Sequence, residues 1–322
     1  MGSPDRVGDR EEWLDTRLAA AGMRRTGPVT CPHDRPWGTV HTAPTSGGPV
    51  WLKAPCSATV FEVALYELLE KVAPARIPRP IAVDLDLGWA LLSDGGATLG
   101  DQVDDAGLAD ALVTVLPQYA QLQRDLAPHV AELLSFGVAD MRPAIMPARF
   151  DEALAVVEER AGRRLQAVRE MRATFNGWCG RLDASRVAAS LDHNDLHPWN
   201  MFFDAGQARF YDWGDSVVAH PFASMLLVLA VVRMRLGVGP DDPAVTRPRD
   251  AYLEVWSDLA SHVELVAEQE LACWVGKVAR SLTWDRALRT QGHDQVREFA
   301  DAPLQNLTAL LASSWSDLRA GA

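Results

Sequence analysis

Lysine is nearly missing from this chain. Its 322 residues hold only Lys53, Lys71 and Lys277, and arginine supplies the rest of the 31 basic side chains. Acidic residues number 43, so the formal charge is −12 and the isoelectric point lies near 5.1. Such a chain lacks the basic surface that phosphate backbones require, so no nucleic-acid partner is expected. Cysteine is also scarce. Cys31, Cys56, Cys179 and Cys273 are scattered, with no CxxC pair, and a chain this long does not depend on a disulfide framework. Cys31 and His33 have a spacing that metal ligands use, but two ligands do not make a site. Long apolar runs are absent as well. The most apolar stretch, Leu226–Val232, falls far short of the ~20 residues of a membrane span. The N-terminus runs from Met1 to Arg6 into charged residues without an apolar segment, so no signal peptide is expected. No internal repeat and no low-complexity tract interrupts the chain. With 48% hydrophobic residues, disordered, fibrous and integral-membrane classes are excluded. The expectation is a soluble, reduced, cytoplasmic protein with no membrane partner.

Local pattern organises the chain. Residues 10–21 read as an amphipathic helix closed by Gly22. Thr39–Thr42, the turn Thr45–Gly48 and Val50–Lys53 read as a β-hairpin. Residues 59–72 are again helical. Ile81–Val83 and Trp89–Leu92 read as strands around the turn Asp84–Gly88. Beyond Gly96 helices are expected over 106–128, 148–176, 220–236, 249–260, 263–291 and 303–319, interrupted by a β-rich patch at Val187–Trp213. Strands thus gather at the start and helices after them. This segregation predicts an α+β fold, with an antiparallel-sheet lobe over 1–94, a mainly helical lobe over 95–322, and Asp94–Gly96 as the joint.

Chemistry concentrates in Leu191-Asp-His-Asn-Asp-Leu-His-Pro-Trp-Asn200 and in Ala208-Arg-Phe-Tyr-Asp-Trp-Gly-Asp215. Packing alone gives no reason to set an Asn and two carboxylates between β-like segments. Phosphoryl transfer does need such groups. A carboxylate must orient the attacking hydroxyl and accept its proton, hard oxygen ligands must hold Mg²⁺, and a cation must hold the donor phosphates. Asp195, Asn200 and Asp212 supply the base and two metal ligands in chain order. Phe202–Phe203 and Phe210–Tyr211 are expected to pair as the strands that bring Asn200 to Asp212.

His193-x-Asp195-x-x-x-x-Asn200 followed by Asp212-Trp-Gly214 resembles the catalytic and metal-binding loops of the protein-kinase-like superfamily. The form His-Asn-Asp-Leu-His-Pro-Trp-Asn is similar to that of its aminoglycoside phosphotransferase and choline kinase branch. The resemblance implies a bilobal kinase-like fold that binds ATP (GTP is not excluded) and Mg²⁺. It implies Asp195 as catalytic base and Asn200 and Asp212 as metal ligands. His193 then supports the loop, His197 either faces the substrate or supports the loop, and Asp215 stands on the substrate side.

A kinase-like site also needs a strand lysine held by a helix glutamate. Lys53 ends the strand-like run Pro49–Lys53. On helix 59–72 the stripe Phe61, Leu65, Leu68, Leu69 and Val72 defines a buried face. Glu62 stands roughly 75° from its centre, whereas Glu67 and Glu70 stand roughly 150° away. Glu62 is therefore the expected partner of Lys53. No Gly-x-Gly-x-x-Gly precedes Lys53. The expected phosphate-covering loop is His33–Thr39, with backbone amides and the Thr39 hydroxyl, while Gly47-Gly48 is a turn. Trp89–Asp94 resembles the strand and hinge that read a purine, with Leu92 on the pocket wall. Where many relatives carry a loop-bracing Asp, this chain has Ser224, which leaves the rigidity of the loop open.

The expected activity is transfer of a γ-phosphate to a hydroxyl of a small molecule: an aminoglycoside-like or other antibiotic, an amino alcohol or a sugar. The alternative is a weakly active or inactive nucleotide- or ligand-binding module. Asp215, Glu268, Glu270, Asp285 and Trp284 are candidate acceptor-site linings, and an acidic lobe suits a cationic acceptor. Only a few residues separate Gly214 from the next helix, which leaves no room for the activation segment of a macromolecular kinase.

Overall fold

The run Val50-Trp-Leu-Lys-Ala-Pro55 alternates side chains across a strand, so Val50, Leu52 and Ala54 face one way and Trp51 and Lys53 the other. The computed structural model describes residues 6–289 and 296–319, without the side chains of residues 6–9 and 159–164. The chain divides into two compact units, Met1–Gly96 and Ala97–Ala322.

The first unit begins with helix α1 (Arg6–Ala20), followed by strands β1 (Thr30–Arg35), β2 (Gly38–Ala43) and β3 (Val50–Pro55). Helix α2 (Phe61–Val72) and strands β4 (Pro80–Asp84) and β5 (Trp89–Ser93) complete it. The strands form one antiparallel sheet in the order β1-β2-β3-β5-β4. Trp13, Leu14 and Leu18 of α1 bury against Val50, Leu52, Ala54, Trp89 and Leu91 on one sheet face. Each large side chain removed from water there stabilises the unit by ~1.5–3 kcal/mol. Trp51 and Lys53 pair with Leu92 and Ala90 on the opposite face, and α2 packs against β4 and β5.

Strand β1 was not legible in the sequence. All six of its residues are exposed, so they show no apolar alternation, and Pro32 is tolerated because the strand is at the sheet edge. The expected loop His33–Thr39 is consequently a tight hairpin: His33–Arg35 pair with Gly38–Val40 around Pro36-Trp37. Gly38 has φ +156°, and a Cβ there would lie 2.9 Å from the Pro55 Cα. The tip is tied down, because the Trp37 carbonyl accepts from Cys56 N–H and from the Thr59 hydroxyl, each at 2.9 Å.

The second unit is mainly helical. It runs α3 (Leu99–Gln102), α4 (Asp105–Leu126), α5 (Val130–Ser135), β6 (Ala139–Asp140), α6 (Met146–Glu170) and α7 (Arg172–Asp183). Then come β7 (Ser190–Asp192), β8 (Met201–Asp204), β9 (Gln207–Phe210) and β10 (Val217–Ala219). Helices α8 (Met225–Leu236), α9 (Pro243–Glu254), α10 (His262–Leu288) and α11 (Ala302–Thr308) follow. Local chemistry starts these helices. Asp104 caps α4 through Gly107 N–H, Asp242 caps α9 just before Pro243, and Ser261 and Glu264 form a capping box on α10. The three-stranded sheet β6-β10-β7 and the hairpin β8-β9 sit among the helices.

Several expected boundaries shift. The helix expected over 148–176 breaks at Met171 into α6 and α7. The one expected over 249–260 runs from Pro243 to Glu254, because Asp242-Pro243 starts it and Pro248 lies inside. The one expected over 303–319 ends at Thr308 in a short 3₁₀ turn. Residues 290 and 291, the expected end of α10, lie outside the described residues. Tyr211 falls one residue beyond β9, where its N–H reaches the Asn200 carbonyl at 3.3 Å. The fold class is the expected one: α+β, with an antiparallel-sheet N-terminal unit and a mainly helical C-terminal unit.

Candidate active site

Strand β7 delivers the chain to a buried loop and ends on a carboxylate. Asp192 is 1% exposed. Its Oδ1 accepts from Asn194 N–H at 2.8 Å and from the Ser224 hydroxyl at 2.5 Å. Ser224 has one proton, and it goes to Asp192. The Tyr119 hydroxyl, 2.9 Å from Ser224, therefore donates to Ser224 and accepts from His193 N–H at 3.0 Å. The result is a closed ring: His193 N–H to Tyr119, Tyr119 to Ser224, Ser224 to Asp192, and Asn194 N–H to Asp192. Gln123 reinforces it, donating to Ser224 at 3.2 Å and to the carbonyls of Leu191 and Pro221. Burial raises the Asp192 carboxyl to about 6, and the Ser224 hydrogen bond offsets only part of that. Ser224 thus ties the loop to the helix side through Asp192.

The loop itself turns at Asn194, whose φ is +59°. Asn tolerates this left-handed conformation better than most residues. Its side-chain amide donates to the Thr283 hydroxyl at 2.8 Å and to the Asp215 carbonyl at 3.3 Å. Asp195 follows, with both carboxylate oxygens engaged. Arg280 of α10 lies 3.3 Å from Oδ1 and also bonds the Asn194 carbonyl. On the other side His197 Nε2 lies 3.4 Å from Oδ2. Burial pushes Asp195 upward, but the His197 hydrogen bond and the Arg280 charge outweigh it and hold the carboxyl well below its usual range. It is ionised near neutrality.

Asn200 is 5% exposed. Its Nδ2 donates to the Asp195 carbonyl at 3.0 Å and lies 3.4 Å from Asp195 Oδ2, which turns its Oδ1 away from Asp195. His193 Nε2 bonds the Tyr211 carbonyl at 2.8 Å, the Tyr211 hydroxyl donates to the Trp199 carbonyl at 2.8 Å, and Tyr211 N–H meets Asn200. These three bonds fix the residue before Asp212 to the loop. Asp212 is exposed at φ +66°. Asp215 is raised to about 7, first by burial and then by the charge of Asp195, against the pull of Arg286.

In the N-terminal unit, Lys53 Nζ and Glu62 Oε1 form an ion pair at 2.5 Å. Lys53 is 8% and Glu62 2% exposed, and Tyr66 OH lies 3.4 Å from the same carboxylate oxygen. Glu67 is exposed and Glu70 half-buried. Leu92 is buried on the sheet face that Lys53 shares. The Thr39 hydroxyl lies at the start of β2, 3.3 Å from His41 Nε2.

Sequence reasoning missed Asp192, Tyr119, Gln123 and Arg280. The first three left a signal, a carboxylate closing the largely apolar run Val187–Leu191 and two polar side chains one turn apart on the apolar face of α4, whereas Arg280 left none. Of the acidic acceptor-site candidates, only Asp215 sits at the loop. Glu268 accepts from the Ser185 hydroxyl at 2.7 Å, Asp285 pairs with Arg289, and Glu270 lies in the field of Arg249 and Asp241.

The donor set suits a hard cation. Asn200 contributes an amide oxygen and Asp212 an exposed carboxylate, which leaves positions for phosphate and water oxygens, the coordination Mg²⁺ favours. Among the described residues no group of three His, Cys, Asp or Glu side chains is arranged to hold a metal. No helix among them is long and apolar enough to cross a membrane.

A family model described as "Phosphotransferase enzyme family" matches residues 53–262, a span that runs from Lys53 through both loops. No curated protein matches the sequence. Solved structures share the fold. The macrolide 2'-phosphotransferase MphH from Brachybacterium faecium, as apoenzyme, is 20% identical with a TM-score of 0.58, over 91% of this chain and 98% of that one. Amicoumacin kinase hAmiN, in complex with AMP-PNP, Ca²⁺ and Ami, is 14% identical with a TM-score of 0.58, over 98% and 99%. Choline kinase LicA from Streptococcus pneumoniae is 13% identical with a TM-score of 0.57, over 94% and 99%.

Proposed function

This chain belongs to the phosphotransferase enzyme family, and from that premise we propose that it transfers the γ-phosphate of ATP, with Mg²⁺, to a hydroxyl of a small molecule. The observation that carries the reading is Asp195: an ionised carboxylate held from both sides, with Asn200 on the same loop and Asp212 tied to that loop through Tyr211.

The acceptor hydroxyl docks on the Asp195 carboxylate, which orients its oxygen and takes its proton. The acceptor oxygen forms a bond to the γ-phosphorus as the bond from that phosphorus to the bridging oxygen breaks, and ADP leaves. Asn200 and Asp212 are the residues that would hold Mg²⁺, which when bound neutralises charge on the phosphate oxygens. Lys53, kept in place by Glu62, holds the donor phosphates. The hairpin tip at Pro36-Trp37, with Thr39 beside it, covers them, and Leu92 walls the base. Because base contacts in this reading come from backbone groups, GTP is an admissible donor. His193 and His197 hold the loop and Asp195 in place, and Asp215 stands beside the acceptor. In this reading the N-terminal unit binds nucleotide, and the C-terminal unit carries the catalytic and metal loops and the acceptor site.

The acceptor class spans antibiotics, amino alcohols and sugars, and the cellular role, resistance or metabolism, follows from which of them is used. An ATP-consumption screen over those classes tests the reading, with Asp195→Asn as the control. Transfer that survives undiminished in Asp195→Asn would refute it. Growth protection on an antibiotic panel separates resistance from metabolism.

A further inference from the structure

The acceptor side of Asp195 is built from α10. Thr283 accepts from Asn194, Arg280 bonds the Asn194 carbonyl and lies 3.3–3.4 Å from Asp195 Oδ1, and Arg286 donates to the Gly214 carbonyl at 3.0 Å. The Arg280 side chain is 12% exposed, and its Nε reaches the Asn306 amide oxygen on α11 at 3.4 Å. It is pinned at three places, so its charge stays beside the base. One turn along α10 Trp284 stacks on Phe299, with centroids 5.6 Å apart and planes 19° from parallel, and both rings are half-buried.

Two guanidinium groups, Arg280 and Arg286, face the carboxylates Asp195 and Asp215, and under the proposed function the third carboxylate at the loop, Asp212, belongs to the metal. Of the other acids, Asp285 pairs with Arg289 and Glu268 accepts from the Ser185 hydroxyl. An attacking hydroxyl must sit within hydrogen-bond reach of Asp195, which also sets it within a few ångströms of the Arg280 guanidinium. An ammonium group on the neighbouring carbon meets that fixed cation beside a carboxylate already paired with it.

We propose that Arg280 is a specificity-determining residue that selects hydroxyl acceptors carrying no positive charge next to the reacting hydroxyl. This rests on the phosphotransferase reading and narrows it, against the cationic acceptor that net charge alone suggests. The transfer is unchanged: the hydroxyl proton passes to Asp195, and the acceptor oxygen replaces the bridging oxygen on the γ-phosphorus, releasing ADP.

Matched acceptors isolate the charge. The purified chain is assayed for ATP consumption on 3-phenylpropan-1-ol against phenylalaninol and on glucose against glucosamine. The neutral member of each set is expected to have the higher kcat/KM, by ~10-fold or more. Arg280→Glu should reverse or erase that ratio, and Arg280→Lys, which keeps the charge, should retain it. If Arg280→Glu fails to fold by circular dichroism, the wild-type ratio and Arg280→Gln decide. A preference for the amine-bearing acceptors that Arg280→Glu or Arg280→Gln leaves unmoved overturns this inference alone. Absence of transfer to every acceptor overturns the phosphotransferase reading and this inference with it.

Discussion

A charged side chain that is nearly buried survives only with its partner. Lys53 and Glu62 are such a pair. Glu62→Ala is expected to destabilise the protein by ~3–5 kcal/mol in urea unfolding, because it leaves an ammonium buried without its carboxylate. Under the proposed function it also raises KM for ATP. Asp195→Asn is expected to keep the fold, since an amide fills the same space beside Arg280 and His197. It should lower kcat by roughly 10²–10⁴, the usual worth of a positioned base. A single-turnover assay on folded Asp195→Asn checks this. The helical wheel pointed to Glu62 because a helix face is encoded within twelve residues. The contact from Arg280 to Asp195 was invisible because it joins residues 85 positions apart, and nothing local marks which arginine of a helix meets a distant loop.

Elements carry the next layer. Strand β7, helix α4 and the turn before α8 meet in the ring of Asp192, Tyr119, Ser224 and the amides of His193 and Asn194. Ser224→Ala removes one donor to a buried carboxylate and is expected to cost ~1–3 kcal/mol of stability, read by chemical denaturation. Exchanging the two side chains in Asp192→Ser with Ser224→Asp returns a carboxylate to the ring from the opposite element. The double variant should recover at least half of the stability lost in Asp192→Ser alone. Recovery of none would show that the ring does not work as a unit. At the hairpin β1-β2, Gly38→Ala forces a Cβ onto the Pro55 backbone and should lower the melting temperature. The sequence showed a polar, Pro-containing stretch there, and the edge position, which strips away apolar alternation, hid the strand.

For the whole molecule, ligand and proton linkage give the tests. A ligand that binds only the folded state stabilises it by about 2.7 kcal/mol at a hundredfold excess over Kd. Mg·ATP should therefore raise the melting temperature. EDTA should remove the part of the shift that depends on the metal, and Asp212→Ala should make the shift insensitive to EDTA. Lys277 is buried in α10, with its Nζ bonded to the carbonyls of Ala309 at 3.0 Å and Ser314 at 3.2 Å. Burial lowers its ammonium to about 7, and a neutral amine still has two protons for those two carbonyls. The folded pKa lies below the unfolded value, so the unfolded chain binds more protons between about pH 7 and 10, and stability rises with pH across that window. Wild type should gain on Lys277→Met by a few kcal/mol between pH 6.5 and 9.5 in paired urea titrations. An unchanged difference would mean the amine stays charged.

The sequence by itself determined the fold class, the spacing of Asp195, Asn200 and Asp212, and the face on which Glu62 meets Lys53. Each is a matter of local period or of residues close in the chain. Tertiary structure alone decided what surrounds the base. It put Ser224 and Tyr119 against Asp192, seated Arg280 on Asp195, and drew Glu268 and Asp285 to other partners. Net charge counts every ionised group equally, but a reacting hydroxyl meets only the few within several ångströms of it. Which charges those are depends on contacts between distant segments, and no local pattern encodes them.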